Sequence, residues 1–400
     1  MNPSETSPGP LTSETSASAL PNSAERSAPR PRIGVPWSEP DLSTEERRAV
    51  EAVLESGWLG MGPRTKEFER GLCEFTGAHE AIAVNNGTAA LVTALLAHGI
   101  RPGDEVLVPT YTFVATVNSV LAVGAKPVLL DCDPRTLNIT PEIVESELRD
   151  HPNAKALLFV DVAGQPCDLD ALAELARARS LLLIEDAAEA FGAGYRGRRV
   201  GGFDHTTVFS FHIAKQMTTV EGGAVVTSDR ELAARARLIR SHGEGSEKYV
   251  HVAFGLNFRP TDLLSAIGTV QLRKVERYLA TRGAHARRYR EFLAPYLRFQ
   301  EVPDFVSQPT WMIFMALCRE REERDAYVRW LSAHGVDTRI PWPPVHAQPY
   351  YAREFGPSIF PAADRTYPRV LALPMGNGLT ADQVQAVIDC SLDFFQQRGR

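Results

Sequence analysis

From Ala81 to Ile184, short apolar runs alternate with longer segments whose apolar residues recur at helical spacing. The runs are Ala81–Val84, Glu105–Val108, Pro127–Asp131, Ala156–Val160 and Leu181–Ile184. Between them lie Thr88–Ala97, Phe113–Val123, Pro141–Leu148 and Leu169–Arg177. Runs apolar at nearly every position need cover on both faces. Strands alternating with helices therefore imply βαβ crossovers and a mainly parallel sheet flanked by helices, an α/β fold. Further helices are expected at Arg230–Ile239 and, unbroken, from Leu263 to Arg282.

The flanks read differently. Residues 1–32 are rich in Ser, Pro, Thr and Glu, with few large apolar side chains and no apolar core of a secretory signal. Such a tail cannot offset its ordering entropy and is expected to be disordered. Ser43-Thr44-Glu45-Glu46 is a capping box that starts a helix at Thr44, running to about Glu55, with Gly57 as its stop. A turn at Gly60–Pro63 and a helix near Lys66–Phe75 follow. Beyond about Tyr289 the pattern changes to a strand at Met312–Leu317 and helices at Glu322–Ala333 and Leu379–Phe394. The expected division is a large domain over 33–289 and a smaller α+β domain over 290–400.

A net charge of −6 gives no reason to expect nucleic acid, whose binders usually carry a basic face. No run reaches the roughly 18 apolar residues of a membrane span. The five cysteines are scattered without a CxxC pair, which argues against a zinc site or a disulfide framework and fits a reducing compartment, the cytoplasm.

The chemistry gathers in two windows. Val208–Phe211 and Ala224–Val226 read as strands, and the turn between them carries one lysine, Lys215, without a basic neighbour. A lone lysine there is either a surface charge or a residue with a partner or a covalent role, such as Schiff-base formation with a carbonyl. The second window, Leu181–Ile184 followed by Glu185-Asp186-Ala187-Ala188, puts Asp186 at the carboxyl end of a buried strand, where open α/β sheets bind ligands. The same position suits a helix N-cap, a common role for Asp that can coexist with ligand binding. A carboxylate for a pyridine nitrogen and a lysine for a Schiff base are the protein half of pyridoxal 5'-phosphate (PLP) chemistry.

Together with Ser56–Pro63, Asn86-Gly87-Thr88-Ala89-Ala90-Leu91, Pro102–Val106 and Ser210-Phe211-His212, these windows resemble the DegT/DnrJ/EryC1/StrS sugar aminotransferases, fold-type I PLP enzymes. The matching pieces run from Pro36 to about Leu392. The resemblance implies that Lys215 is both covalent anchor and proton carrier, and that Asp186 keeps the pyridine nitrogen protonated. Asn86, Gly87, Thr88 and Ser210 would hold the phosphate. Phe113 would stack on the ring, although core packing alone accounts for a phenylalanine there. Asn257, in Gly255–Pro260, would reach the phosphate of a neighbouring subunit, making the active unit a homodimer. Tyr249, His251 and His346 are candidates for the nucleotide sugar. No metal is implied.

The expected activity is transfer of an amino group from glutamate or glutamine to a keto sugar nucleotide in amino sugar biosynthesis. Glu189, three residues after Asp186, would point toward the cofactor or the sugar, and leans the reading toward a 4-keto-6-deoxy sugar over a 3-keto one. Its alternative is a carboxylate at the N-terminus of a helix. A cyclitol or aminobenzoate-type aminotransferase is the alternative within the family, against which His212 speaks. Lys215 speaks against a pyridoxamine-dependent dehydrase. A non-catalytic regulator would not need Lys215, Asp186 and Ser210 together. Two departures from the family pattern stand beside the lysine: Ala214 in place of a polar residue, and Val220 in place of glycine. A β-branched Val220 is expected to avoid positive φ.

Overall fold

In the computed structural model, residues 34–398 are described, so the tail expected over 1–32 lies outside the described residues. The chain opens with helices α1 (Thr44–Ser56) and α2 (Pro63–Thr76). Ser43 and Glu46 form the capping box of α1, and Gly57 ends it in the left-handed conformation. Then come β1 (Glu80–Val84), α3 (Gly87–Ala97), β2 (Glu105–Pro109), α4 (Val114–Ala122), β3 (Lys126–Leu130), α5 (Pro141–Glu147), β4 (Ala156–Val160), α6 (Leu169–Arg179) and β5 (Leu182–Asp186). A small ribbon, β6 (Gly194–Tyr195) and β7 (Arg198–Arg199), leads to β8 (Thr206–Ser210) and β9 (Gly223–Thr227). Helices α7 (Arg230–Arg240), α8 (Asp262–Leu272) and α9 (Val275–Leu293) follow.

Strands β1-β9-β8-β5-β4-β2-β3 form one seven-stranded sheet in that order. Its β8-β5-β4-β2-β3 part is parallel, and β9 runs antiparallel to both neighbours. Period-two alternation sorts the side chains. Leu157, Phe159 and Phe209 pack against α2, α5 and α6, while Ala156, Leu158 and Val208 pack against α3, α4 and α7. Burial on both faces is the reason these strands read as solid apolar runs.

The expected helix Leu263–Arg282 is two helices. The break falls at Arg273–Lys274, where the Lys274 ammonium donates to Glu46 Oε1 at 2.6 Å and Ser43 Oγ at 3.0 Å. This contact spans more than 220 residues and overrides a helical pattern that sequence alone leaves unbroken. The remaining elements are β10 (Arg298–Phe299), β11 (Val306–Gln308), β12 (Phe314–Leu317), α10 (Arg321–Ala333), α11 (Pro349–Phe355), α12 (Pro361–Thr366), β13 (Val370–Leu373) and α13 (Ala381–Arg398). Strands β10-β12-β13 make a second sheet, packed around Tyr289, Phe314, Leu371 and Phe394. A further cluster, with Tyr111, Val160, Met312, Ile313 and Ala363, joins that region to the large sheet.

Candidate active site

Strands β1, β2, β4, β5 and β8 point the same way, so their carboxyl ends lie along one edge. That edge opens into a cleft of about 370 Å³, lined among others by Gly87, Thr88, Phe113, Thr116, Asp186, Glu189, Ser210, His212 and Lys215. Residues far apart in sequence converge because each ends a strand, lies in the turn beyond one or sits in the first turn of the helix after it.

Asp186 is the last residue of β5 and is 4 % exposed. Its Oδ2 accepts a hydrogen bond from Thr116 Oγ1 at 2.8 Å, and its Oδ1 one from the Ala188 N–H at 3.1 Å. Burial raises its carboxyl to about 6 against the pull of those two donors. No helix follows it. The chain turns at Ala187–Ala190 and enters the β6/β7 ribbon, so the helix N-cap reading of Asp186 and the helix-dipole reading of Glu189 both fall. The small residues after Asp186 serve a buried turn rather than a helix start.

The Glu189 carboxylate instead bridges two groups. Oε2 accepts from the Ala163 N–H at 2.8 Å, and Oε1 lies 3.5 Å from Lys215 Nζ. The lysine turn is held from both sides: Gln216 Nε2 donates to the Glu189 and Phe191 carbonyls, and Asn377 Nδ2 donates to the Gln216 carbonyl. Thr218 Oγ1 donates to the Phe211 carbonyl and accepts from the Val220 N–H at 2.7 Å. Val220 takes φ +72, contrary to the expectation from its branched side chain. The Thr218 contact and the demand for β8–β9 pairing outweigh a local strain of about 1–3 kcal/mol.

The first turn of α3 faces the same cleft. The Asn86 side chain caps Ala89 N at 2.8 Å and does not line the cleft, leaving the Gly87 and Thr88 N–H groups without an acceptor among the described residues. A Cβ on Gly87 would lie 2.8 Å from Ser210 Cβ, so only glycine lets Ser210 sit against this turn. Two free helix N–H groups beside two hydroxyls, Thr88 and Ser210, form a cradle for a phosphate. Phe113 is 55 % exposed and meets Trp342 edge-on with centroids 5.9 Å apart, which sets core packing aside for this ring.

Besides Asn86, the structure does not bring four of the expected residues to this cleft. His346 is buried, with Nδ1 paired to Thr110 Oγ1 at 2.7 Å and Nε2 to Asp364 Oδ1 at 2.8 Å, so both ring nitrogens are occupied. Tyr249, 76 % exposed, and His251, bonded to the His242 carbonyl, lie on a surface excursion between α7 and α8. Asn257 is exposed at the base of that excursion, bridged to Ser241. Sequence reasoning missed Thr116, whose role rests on a contact across 70 residues, and the indole walls Trp37 and Trp342, which no local pattern marks.

A lysine amine beside a buried carboxylate, two unpaired helix N–H groups with two hydroxyls, and an exposed aromatic face, all lining one cleft, are donors and surfaces of the kind that PLP requires. Residues 40–391 match the DegT/DnrJ/EryC1/StrS aminotransferase family. The structure of DesV from S. venezuelae is similar at TM-score 0.86 and 36% identity, covering 90% of this chain and 98% of that one. PseC of Helicobacter pylori, an aminotransferase involved in pseudoaminic acid biosynthesis, is similar at 0.85 and 29%, over 91% of this chain and 100% of that one. Spr1654 of Streptococcus pneumoniae, solved in its PLP form, is similar at 0.85 and 26%, over 91% and 99%.

Proposed function

The chain belongs to the DegT/DnrJ/EryC1/StrS aminotransferase family, whose cofactor is PLP, and we propose that it moves an amino group from glutamate or glutamine onto a keto sugar carried by a nucleotide. One observation carries the reading: Lys215, Asp186, Ser210 and the open first turn of α3 line one cleft. Bound PLP supplies the electron sink that lets an amino group pass between an amino acid and a carbonyl. Asp186 would hold its pyridine nitrogen, and Gly87, Thr88 and Ser210 its phosphate, with Phe113 against the ring. Lys215 anchors it and carries the proton at Nζ. Glu189, 3.5 Å from that atom, orients it.

The acceptor is a 4-keto-6-deoxy sugar. The outer wall of the cleft is apolar, with Trp37, Met312, Ile313 and Trp342, which suits a methyl-bearing ring better than a hydroxymethyl one. The unit is a homodimer in the cytoplasm. Exposed Trp58, Leu59, Tyr249, Val252 and Phe254 give the chain apolar surface to cover, and Asn257 stands outside the cleft of its own chain. The cysteines among the described residues are free thiols, which suits a reducing compartment.

The test is turnover with glutamate or glutamine against 4-keto and 3-keto 6-deoxy nucleotide sugars, with the product read by NMR. An amine at C4 is expected. An amine at C3 alone overturns the choice of carbon, and no amine on any sugar overturns the sugar reading.

A further inference from the structure

Directly behind Asp186, two more carboxyl groups are fully buried. Asp161 follows β4 and Glu185 lies in β5, and both are 0 % exposed. Asp161 Oδ1 accepts from the Cys167 N–H at 3.0 Å, and Glu185 Oε2 accepts from Thr207 Oγ1 at 2.7 Å and pairs with His205 Nε2 at 3.0 Å. Each then has one oxygen, Asp161 Oδ2 and Glu185 Oε1, without any partner. Phe159 pairs with Glu185 across the parallel β4–β5 ladder, so Asp161, two residues on, lies on the same face as Glu185. Burial, then the Glu185 carboxyl beside it, pushes the Asp161 carboxyl well up. Two such buried groups repel when both are charged and are satisfied at once if a proton lies between them. Glu185 has partners from two residues and Asp161 has one, so the proton rests on Asp161.

What the pair holds in place bears on the cleft. Asp161 donates its backbone N–H to the Asp186 carbonyl at 3.2 Å. Its carboxyl spans the turn from Asp161 to Cys167, and that turn presents the Ala163 N–H, at φ +62, to Glu189 Oε2. Both acids that face the cleft thus hang on one strand end. We propose that Asp161 and Glu185 share a single proton and act as positioning residues, fixing Asp186 and Glu189 through the β4–β5 junction. The pair touches no reacting atom. Its functional consequence rests on the reading of Asp186 and Glu189 given above, whereas the shared proton itself does not.

An asparagine at 161 replaces the shared proton by an amide N–H while its oxygen still accepts from Cys167, so it should substitute. An alanine cannot. The test compares the wild type, Asp161→Asn and Asp161→Ala in two measurements. The first is the infrared band of a protonated carboxyl at neutral pH, expected in the wild type and lost in Asp161→Asn. The second is PLP affinity by titration, expected within about threefold of the wild type for Asp161→Asn and at least tenfold weaker for Asp161→Ala. If Asp161→Ala does not fold, the infrared comparison and the affinity of Asp161→Asn decide. An unchanged band, or no band, overturns the shared proton. An Asp161→Asn affinity as poor as that expected of Asp161→Ala overturns the positioning role.

Discussion

Burial in the cofactor-free protein leaves Asp186 with a carboxyl near 6, against an ordinary 3.8. An acid whose folded value lies above its unfolded one binds the extra proton in the folded state, so its ionisation destabilises the fold as pH rises from about 4 through 6. At roughly 1.4 kcal/mol per pH unit the cost at pH 7 is about 3 kcal/mol. The fold tolerates it because a cationic partner in the cleft can recover it. Cofactor-free Asp186→Asn should therefore be more stable than the wild type at pH 7, by up to about 3 kcal/mol, with the gain gone below pH 4, while aminotransfer is lost. Denaturant unfolding across that range checks it, and a variant less stable than the wild type at pH 7 contradicts it. At this scale Lys215 and Asp186 were legible only as members of a set of motifs, since each window alone also suits a surface lysine or a helix cap. Thr116, Asp161 and Ala163 were not, because their parts rest on contacts that only the folded sheet creates.

The alternating runs marked every helix from α1 to α7 and the longer strands of the large sheet, most ends within a residue or two. Burial on both faces makes that signal strong. What failed at this scale was local chemistry set against distant demands. Lys274 leaves the helical line to meet Glu46, and Val220 takes a left-handed backbone because the β8–β9 pairing and Thr218 require it. The two-residue strands β6 and β7 were invisible, since Gly194-Tyr195 and Arg198-Arg199 are too short to show a period. The turn after Asp186 was misjudged for the same reason: an acid and small residues after a strand suit a helix cap as well as a buried turn.

For the whole molecule, the cleft of one chain supplies the lysine, the acid and the phosphate cradle, while Asn257 stands outside it. If a second copy brings Asn257 to this cleft, mixing inactive Lys215→Ala subunits with inactive Asn257→Ala subunits should restore part of the activity, because one hybrid site is intact. A proven heterodimer without activity removes the shared site. The exposure of Tyr249 and Phe254 was unreadable in sequence, because nothing local separates them from core residues. The central claim is that Lys215 is the amine that anchors the cofactor. Borohydride reduction of the PLP-loaded protein, followed by proteolysis and mass spectrometry, locates that bond directly. The account predicts a pyridoxyl group on Lys215 and none in Lys215→Ala; a pyridoxyl group on any other lysine of the loaded wild type would contradict it.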